Sequence, residues 1–178
     1  MEILKQSIPD VLLIKPNVHS DERGFFLETL RETWISNLTD SKFIQHNQSR
    51  SKYGVLRGLH YQTKNTQGKL VRCSHGRVFD VAVDVRRNSP SFGNSVYAFL
   101  DDINHHQLWV PQGFAHGFLV LSDYADFCYL CTDYYNQESE KGINWNDPDL
   151  NIPWPKLKQG FNYLISEKDE KNILLKEM

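Results

Sequence analysis

Four short blocks of the sequence carry the side chains best suited to chemistry, and a histidine ends two of them. His60 ends the block L-R-G-L-H, and His116 ends the block P-Q-G-F-A-H. Because an imidazole titrates close to neutral pH, either histidine suits proton transfer or metal ligation. In the two other blocks, Lys69 offers an ammonium group that can stabilise a negative charge, and Tyr129 offers a phenol that can donate a proton.

A metal site is the first alternative, because P-Q-G-F-A-H resembles the second half of the cupin signature, P-x-G-x-x-H. In metal-binding cupins this histidine joins an H-x-H pair and a glutamate from the first half. The matching place here is L-H-Y-Q, where Gln62 replaces the second histidine and residues 63–67 include no glutamate. The ligand set that a divalent ion needs is incomplete, so we predict no metal. A metal-dependent cupin, with His60, His116 and a carboxylate from elsewhere, stays an alternative.

Other polar side chains in these blocks have a structural as well as a functional interpretation. Arg57 stands in an otherwise apolar strand and needs an anionic partner, which is either a protein carboxylate or a substrate phosphate. The adjacent Gly58 predicts a bulge or a close approach of two backbones. Lys69 is either functional or an exposed lysine at a strand end. Tyr129 and Tyr135 have the same parity, so they either pack in the core or line one interior together.

The C-x-x-C spacing of Cys128 and Cys131 suggests a redox or metal pair, but the surrounding run is typical of a β-strand. Side chains three residues apart on a strand point to opposite faces. Redox pairs with this spacing lie at the start of a helix instead. We therefore expect two small side chains packed in a strand.

Strands must position these groups, since short β-branched and aromatic runs alternate with Gly, Pro, Asn and Asp. The clearest run covers residues 77–85, where apolar odd-numbered positions alternate with Asp80, Ala82 and Asp84. Short helices are predicted for residues 31–38 and for the C-terminal residues from Lys168 onward. This pattern predicts one all-β domain over residues 1–178, a sandwich or barrel. Strands are predicted around residues 24–29, 43–48, 56–62, 70–74, 77–85, 95–100, 107–110, 117–121 and 126–133.

Composition excludes several classes of function. The 178 residues are 40% apolar and 24% charged, as in globular proteins, and the net charge is −2. That balance gives no electrostatic signature of a nucleic-acid or anionic-membrane partner. No apolar run approaches the roughly 18 residues of a membrane span, and the N-terminus lacks the apolar core of a signal peptide. We expect a cytoplasmic protein that binds neither nucleic acid nor membrane.

Together, these blocks resemble the dTDP-4-dehydrorhamnose 3,5-epimerase family, the sugar-nucleotide epimerases of rhamnose biosynthesis. The resemblance implies a cupin-like jelly-roll β-barrel with a few short peripheral helices. It also implies epimerisation of dTDP-4-dehydro-6-deoxy-D-glucose at C3 and C5 through a C4 enolate, without a cofactor, and the sequence contains no G-x-G-x-x-G. The matching blocks follow in order along nearly the whole chain: I-P-D-V (8–11), D-E-R-G-F-F (21–26), L-R-G-L-H (56–60), Q-G-K-L-V-R (67–72), V-F-D-V-A-V-D (78–84), Q-L-W-V-P-Q-G-F-A-H-G-F (107–118), N-W-N-D-P (144–148) and L-I-S-E-K-D (164–169).

The resemblance assigns four catalytic roles. His60 matches the family's base, and Asp169 matches the carboxylate that orients this imidazole and stabilises its cationic form. Tyr129 matches the acid that delivers a proton from the other face of the sugar. Lys69 matches the cation beside the developing enolate oxygen, where a fixed charge can lower the barrier by about 3 kcal/mol.

The resemblance also implies a nucleotide site and a homodimer. Arg23 and Arg57 match contacts to the diphosphate. Phe26 and Glu28 match residues near the thymine, on an N-terminal strand that the partner subunit exchanges into the site in this family. His46 is a departure, since the family usually has an acidic residue at this substrate-binding position, and it bears on base or sugar preference. The other substrate-binding positions are matched by Gln45, Asn47, Lys69, His116, Tyr135, Glu140 and Lys168.

Three alternatives remain open on the sequence alone. The first is an epimerase that acts at only C3 or only C5. The second is the metal-dependent cupin, such as a dioxygenase or a metal isomerase. The third is a sugar-nucleotide-binding protein without activity on the same barrel, against which stands the presence of all four presumed catalytic groups.

Overall fold

The computed structural model describes residues 1–36 and 39–178, over which the chain forms thirteen strands and three short helices. The helices are α1 (Glu32–Ile35), α2 (Glu167–Glu170) and a 3₁₀ helix (Leu175–Glu177). No helix of the described residues is long and apolar enough to cross a membrane. The strands are β1 (Glu2–Lys5), β2 (Leu12–Lys15), β3 (Val18–Asp21), β4 (Gly24–Leu27), β5 (Gln45–Lys52), β6 (Leu56–Gln62), β7 (Lys69–His75), β8 (Arg77–Asp84), β9 (Ser95–Asp101), β10 (Gln107–Val110), β11 (Phe114–Val120), β12 (Tyr124–Cys131) and β13 (Glu140–Gly142).

Two antiparallel sheets pack face to face around the main core. The larger sheet has the order β1-β2-β10-β7-β12-β5, and the smaller has the order β13-β6-β11-β8-β9. Val71 and Phe127 of the larger sheet pack with Val78, Leu100 and Phe118 of the smaller, and all five are at most 5% exposed. This arrangement agrees with the predicted all-β barrel and its short peripheral helices.

A second core lies on the opposite face of the smaller sheet, where residues 143–178 cover it. Alternation along β8 turns Phe79 to this side, against Trp154 from the C-terminal segment. The segment is also tied to the sheet by backbone pairing, because Leu164 forms a parallel bridge with Val55 just before β6. The C-terminal segment is therefore part of the packed structure, and it carries α2 to the edge of the barrel interior.

All nine predicted strands are present, with bounds that differ by a few residues. The sequence did not predict β1, β2, β3 and β13, which are only three or four residues long. The helix predicted over residues 31–38 is confirmed for Glu32–Ile35, and its predicted end at residues 37–38 lies outside the described residues. The helix predicted from Lys168 onward is present only up to Glu170, as part of α2, because Ile173 then pairs with Ile143 before the 3₁₀ helix begins.

Gly58 allows β6 to approach β11 unusually closely. Its φ is +118°, and a Cβ atom there would lie 2.6 Å from the Cα atom of Gly117 and 2.7 Å from the carbonyl oxygen of His116. The register between the two strands shifts between His116 and Phe118. The predicted close approach of two backbones is therefore confirmed, and it interrupts the alternation of side chains along β6.

Candidate active site

A cavity of about 520 Å³ between the two sheets brings the four sequence blocks together. His60 of β6, Lys69 of β7, His116 of β11 and Tyr129 of β12 all line it. His60, Lys69 and Tyr129 also line a second compartment of about 330 Å³, whose other walls include Glu140. The imidazole, the ammonium and the phenol, which come from distant parts of the chain, therefore face the same space.

His60 and Asp169 form a hydrogen-bonded pair at the wall of this cavity. Nε2 of His60 lies 2.5 Å from Oδ1 of Asp169, whose side chain is buried, and the backbone N–H of Gly58 donates to Oδ2 at 3.3 Å. Burial raises the pKa of Asp169, but the hydrogen bond and charge of His60, together with the hydrogen bonds from Gly58 and Ser166, hold this pKa below its ordinary value. The ionised carboxylate fixes a proton on Nε2, so Nδ1 is the nitrogen left to accept a proton.

Local structure explains how Asp169 reaches a histidine 109 positions away. The backbone of Leu164 accepts from Leu56 at 3.0 Å and donates to Gly54 at 2.8 Å, which fixes the chain beside β6. Ser166 then caps α2, because its hydroxyl accepts a hydrogen bond from the Asp169 backbone N–H at 3.1 Å. The cap starts the helical turn that presents Asp169 to the imidazole.

A second carboxylate lies on the other side of the His60 ring. Oε1 of Glu140 is 3.9 Å from Nδ1 of His60. Oε2 accepts a hydrogen bond from the Tyr135 hydroxyl at 2.6 Å and another from the Lys168 ammonium group. Burial raises the pKa of Glu140, but the hydrogen bonds from Lys168 and Tyr135 hold it below its ordinary value. The hydrogen bond between Tyr135 and Glu140 raises the pKa of Tyr135 to about 12.

Lys69 places a cation inside the cavity. It is the first residue of β7 and pairs with Cys131 of β12, but its side chain is only partly exposed and lines both compartments. Burial lowers the pKa of Lys69, partly offset by Cys131, Glu140 and Asp80. No salt bridge within residues 1–36 and 39–178 involves its ammonium group. The alternative of an exposed strand-end lysine is therefore wrong.

Tyr129 and Tyr135 line the second compartment together, as one of the two alternatives proposed. They do not do so as residues on the same face of one strand, because β12 ends before Tyr135. Tyr129 lies on β12 beside Phe127, and burial raises the pKa of its phenol, which stays protonated at neutral pH. Tyr135 lies beyond the end of β12 and is 50% exposed. Its loop is held where its backbone N–H donates to Oε1 of Gln45 at 2.8 Å.

Arg57 and His116 also line the cavity, in different environments. Arg57 is exposed, and its Nε donates to the hydroxyl of Ser51 at 3.1 Å. The salt bridges of the described ranges do not include Arg57, so a protein carboxylate, one of its two alternative partners, is not found there. His116 is buried, with Nε2 2.9 Å from Oδ2 of Asp80. In the described part of the chain, no group of three His, Cys, Asp or Glu side chains could hold a metal ion.

The predicted residues of β5 divide between its two faces. Gln45 and Asn47 line the second compartment, where the Gln45 amide donates to Oδ1 of Asn47 at 3.2 Å. His46 lies between them, so its side chain is exposed on the opposite face and lines neither compartment. The His46 side chain therefore does not reach the cavity of its own chain, and a role of this position in substrate binding, which we expect mainly through its backbone on the strand that borders the site, stays a prediction. Lys168 lines the first compartment beside Asp169.

Arg23, Phe26 and Glu28 do not reach the cavity of their own chain. They lie on or just after the β3–β4 hairpin, which pairs with neither large sheet. Phe26 is 67% exposed, Arg23 forms a salt bridge with Asp21, and Glu28 forms one with Arg31. These residues line separate surface pockets.

Asp80 is the main polar residue of the site that the sequence analysis did not select. It is fully buried in β8 and holds His116. The alternation of residues 77–85 already placed this carboxylate on one face with Ala82. A buried carboxylate in an apolar strand needs a polar partner, and this requirement could have identified Asp80 from the sequence.

Cys128 and Cys131 are free thiols, as expected.

The sequence model of the dTDP-4-dehydrorhamnose 3,5-epimerase family matches residues 5–177. The chain belongs to this family. A dTDP-4-dehydrorhamnose 3,5-epimerase of Salmonella typhimurium is 52% identical, over 87% of this chain and 86% of that protein. One of Neisseria gonorrhoeae is 57% identical over 87% of this chain, which spans only 48% of that longer relative.

Solved structures agree with this assignment. The dTDP-6-deoxy-D-glucose-3,5-epimerase of Legionella pneumophila, in complex with dTDP-4-keto-L-rhamnose, is 48% identical to this chain with a TM-score of 0.94. The match covers 98% of this chain and 93% of that one. The protein is therefore an epimerase of this family, and the fold and enzyme class that the sequence resemblance implied are confirmed.

Replacing Lys69 by Met tests the cost of the cation in the cavity. Because burial disfavours the charged form, we expect Lys69→Met to raise the free energy of unfolding near pH 7 by about 1 kcal/mol and to lower turnover ~100-fold or more. The stability advantage of Lys69→Met over wild type should shrink as the pH rises towards about 10. The reason is that Lys69 loses its proton in folded wild-type protein at a lower pH than it does in the unfolded chain. Urea unfolding at several pH values measures this.

The control is Lys141→Met, which removes an exposed lysine from β13. Its free energy of unfolding should stay within about 0.5 kcal/mol of wild type. A Lys69→Met variant that is less stable than wild type near pH 7 would contradict the assignment of an uncompensated ammonium group.

Proposed function

We propose that the cavity converts dTDP-4-dehydro-6-deoxy-D-glucose to dTDP-4-dehydro-L-rhamnose by epimerisation at C3 and C5, without a cofactor. The observation that carries the proposal is the arrangement of the His60–Asp169 pair, the Tyr129 phenol and the Lys69 ammonium, which forms no salt bridge with a described residue, around one space. The product-bound Legionella relative supports the choice of substrate.

The chemistry follows from the C4 ketone, which acidifies the C–H bonds at both neighbouring carbons. Nδ1 of His60 removes the proton, and Asp169 holds the ring and stabilises the imidazolium that forms. The electron pair of the broken C–H bond moves to the C4 oxygen, where the Lys69 ammonium stabilises the enolate. Tyr129 then donates a proton to the carbon from the opposite face, which inverts its configuration.

Arg57 supports the binding of the nucleotide end. Its guanidinium lines the same cavity as His60, is exposed, and has a neutral hydroxyl as its hydrogen-bond partner. A guanidinium in this state can form paired hydrogen bonds with a diphosphate at little cost in lost contacts. We therefore assign Arg57 to the diphosphate, and the sugar to the space between His60 and Tyr129.

A homodimer completes the nucleotide site in this proposal. The β3–β4 hairpin pairs with neither sheet, and Phe25 and Phe26 on it are 58% and 67% exposed. Two adjacent exposed phenylalanines on a projecting hairpin favour burial against another molecule. We propose that the hairpin inserts into the partner subunit, where Arg23 contacts the diphosphate and Phe26 and Glu28 contact the thymine.

Isotope incorporation tests the reaction. In D₂O the product should carry deuterium at both C3 and C5, detected by proton NMR, because each carbon loses its proton and receives one from an exchangeable group. The His60→Asn variant should keep its circular dichroism spectrum and lose about 10³-fold in turnover. Label at one carbon alone would exclude double epimerisation, and unchanged turnover in His60→Asn would remove the assignment of the base.

Complementation between two inactive variants tests the exchanged hairpin. One variant carries His60→Asn in the cavity, and the other carries Arg23→Ala and Phe26→Ala on the hairpin. Co-expressed chains should form mixed dimers with one intact site each, and therefore recover about a quarter of wild-type activity per chain. Activity no higher than that of the separate variants would show that the hairpin does not act on the partner subunit.

A further inference from the structure

A single base that removes protons from two carbons must lose the first proton before it can take the second. This requirement rests on the function proposed above, in which Nδ1 of His60 takes the proton from C3 and from C5. Asp169 already occupies Nε2, so the proton must leave from Nδ1. While the sugar fills the space in front of His60, an exit through the wall of the cavity is needed.

Glu140 is placed to provide this exit. Its Oε1 is 3.9 Å from Nδ1 of His60, the nitrogen that Asp169 does not contact. Its Oε2 is held by the Tyr135 hydroxyl and the Lys168 ammonium group, which fix the direction of the carboxylate. The register of β13 on β6 places Glu140 opposite Gln62, two residues beyond His60.

Glu140 also reaches the outside of the barrel. It lines the compartment that contains His60, and it lines a separate groove of about 720 Å³ on the outer surface. The groove is also lined by Lys141, Lys171 and Arg87. Tyr61 and Gln62 line both spaces as well, but among the residues shared by the two linings Glu140 is the one carboxylate. It therefore forms part of the wall between the site and outer solvent.

We propose that Glu140 carries the proton from His60 to the outer groove between the two epimerisations. The Nδ1–H bond of the imidazolium breaks, and its proton forms an O–H bond with Oε1 of Glu140, which leaves a neutral imidazole. The carboxylic acid then gives the proton to water in the groove and returns to a carboxylate. Water is the final acceptor of this proton, and the Tyr129 phenolate left by the first event takes a proton from water, so atoms and charge balance before the second event.

The electrostatics of Glu140 suit a transient carrier. The lowered pKa of this carboxyl group keeps it ionised near neutral pH, so it is ready to accept a proton and does not retain one. Tyr135 and Lys168, which hold it, are both exposed, so their hydrogen bonds can rearrange in contact with water.

The test compares Glu140→Gln with Lys141→Gln, a neighbouring groove residue whose side chain does not line the cavity. Each variant converts the ketosugar nucleotide in D₂O, and NMR follows the two carbons separately. In Glu140→Gln the second exchange should slow at least about tenfold more than the first, so the ratio of singly to doubly epimerised product rises at least about tenfold. Lys141→Gln should give the wild-type ratio.

Chemical rescue separates a proton carrier from a residue that only positions its neighbours. In Glu140→Ala, sodium formate should restore the doubly epimerised product in a concentration-dependent manner, and sodium chloride at equal ionic strength should not. An unchanged product ratio in Glu140→Gln would overturn the proposal even if turnover fell. Equal slowing of both exchanges without rescue by formate would also overturn it. A wild-type protein that labels neither carbon would instead remove the proposed function itself.

Discussion

The hydrogen bond between His60 and Asp169 is the contact on which the geometry of the site depends. It joins β6 to α2 across 109 positions, so the C-terminal segment must be docked before the imidazole has its partner. Burial of that segment against Phe79 and the pairing of Leu164 beside β6 provide the docking. A substitution in this remote core, with no contact to substrate, can therefore disturb the orientation of the base.

The charges of the cavity follow one pattern, in which the carboxylates are compensated and the ammonium is not. Asp80 is held by His116, Asp169 by His60, and Glu140 by Lys168 and Tyr135. Lys69 forms no salt bridge with any described residue. A positive charge without a protein partner costs stability in the free protein, and it is available for the negative charge that develops on a substrate. The fold accepts this cost at the position where an enolate needs a cation.

The blocks that match the family, in their order along the chain, predicted the fold class, and alternation in residues 77–85 predicted which face of β8 is apolar. Alternation failed where the backbone departs from a regular strand. The close approach at Gly58 lets Arg57 and His60, three residues apart, line one cavity. Tyr135 reaches the site from a loop, where alternation does not apply. His46 follows alternation, since its side chain is exposed while its neighbours on β5 line the site. One domain over residues 1–178 stays a prediction.

Pairs of site residues that are distant along the chain are the part of the site that local sequence patterns did not predict. No local pattern shows that Asp169 meets His60, or that Lys168 meets Glu140, since these pairs form only when the C-terminal segment packs on the smaller sheet. The fully buried Asp80 was visible as a carboxylate in an apolar strand, but its partner His116 lies on another strand. The projecting hairpin likewise has no partner within the chain's two large sheets.

A crystal structure of the protein with the ketosugar nucleotide bound, solved with a slow variant such as Lys69→Met, tests the central claim most directly. The account predicts that Nδ1 of His60 and the hydroxyl of Tyr129 lie on opposite faces of the sugar ring, each about 3–4 Å from C3 or C5. Both groups on the same face of the ring, or a sugar bound outside the space between them, would contradict the account.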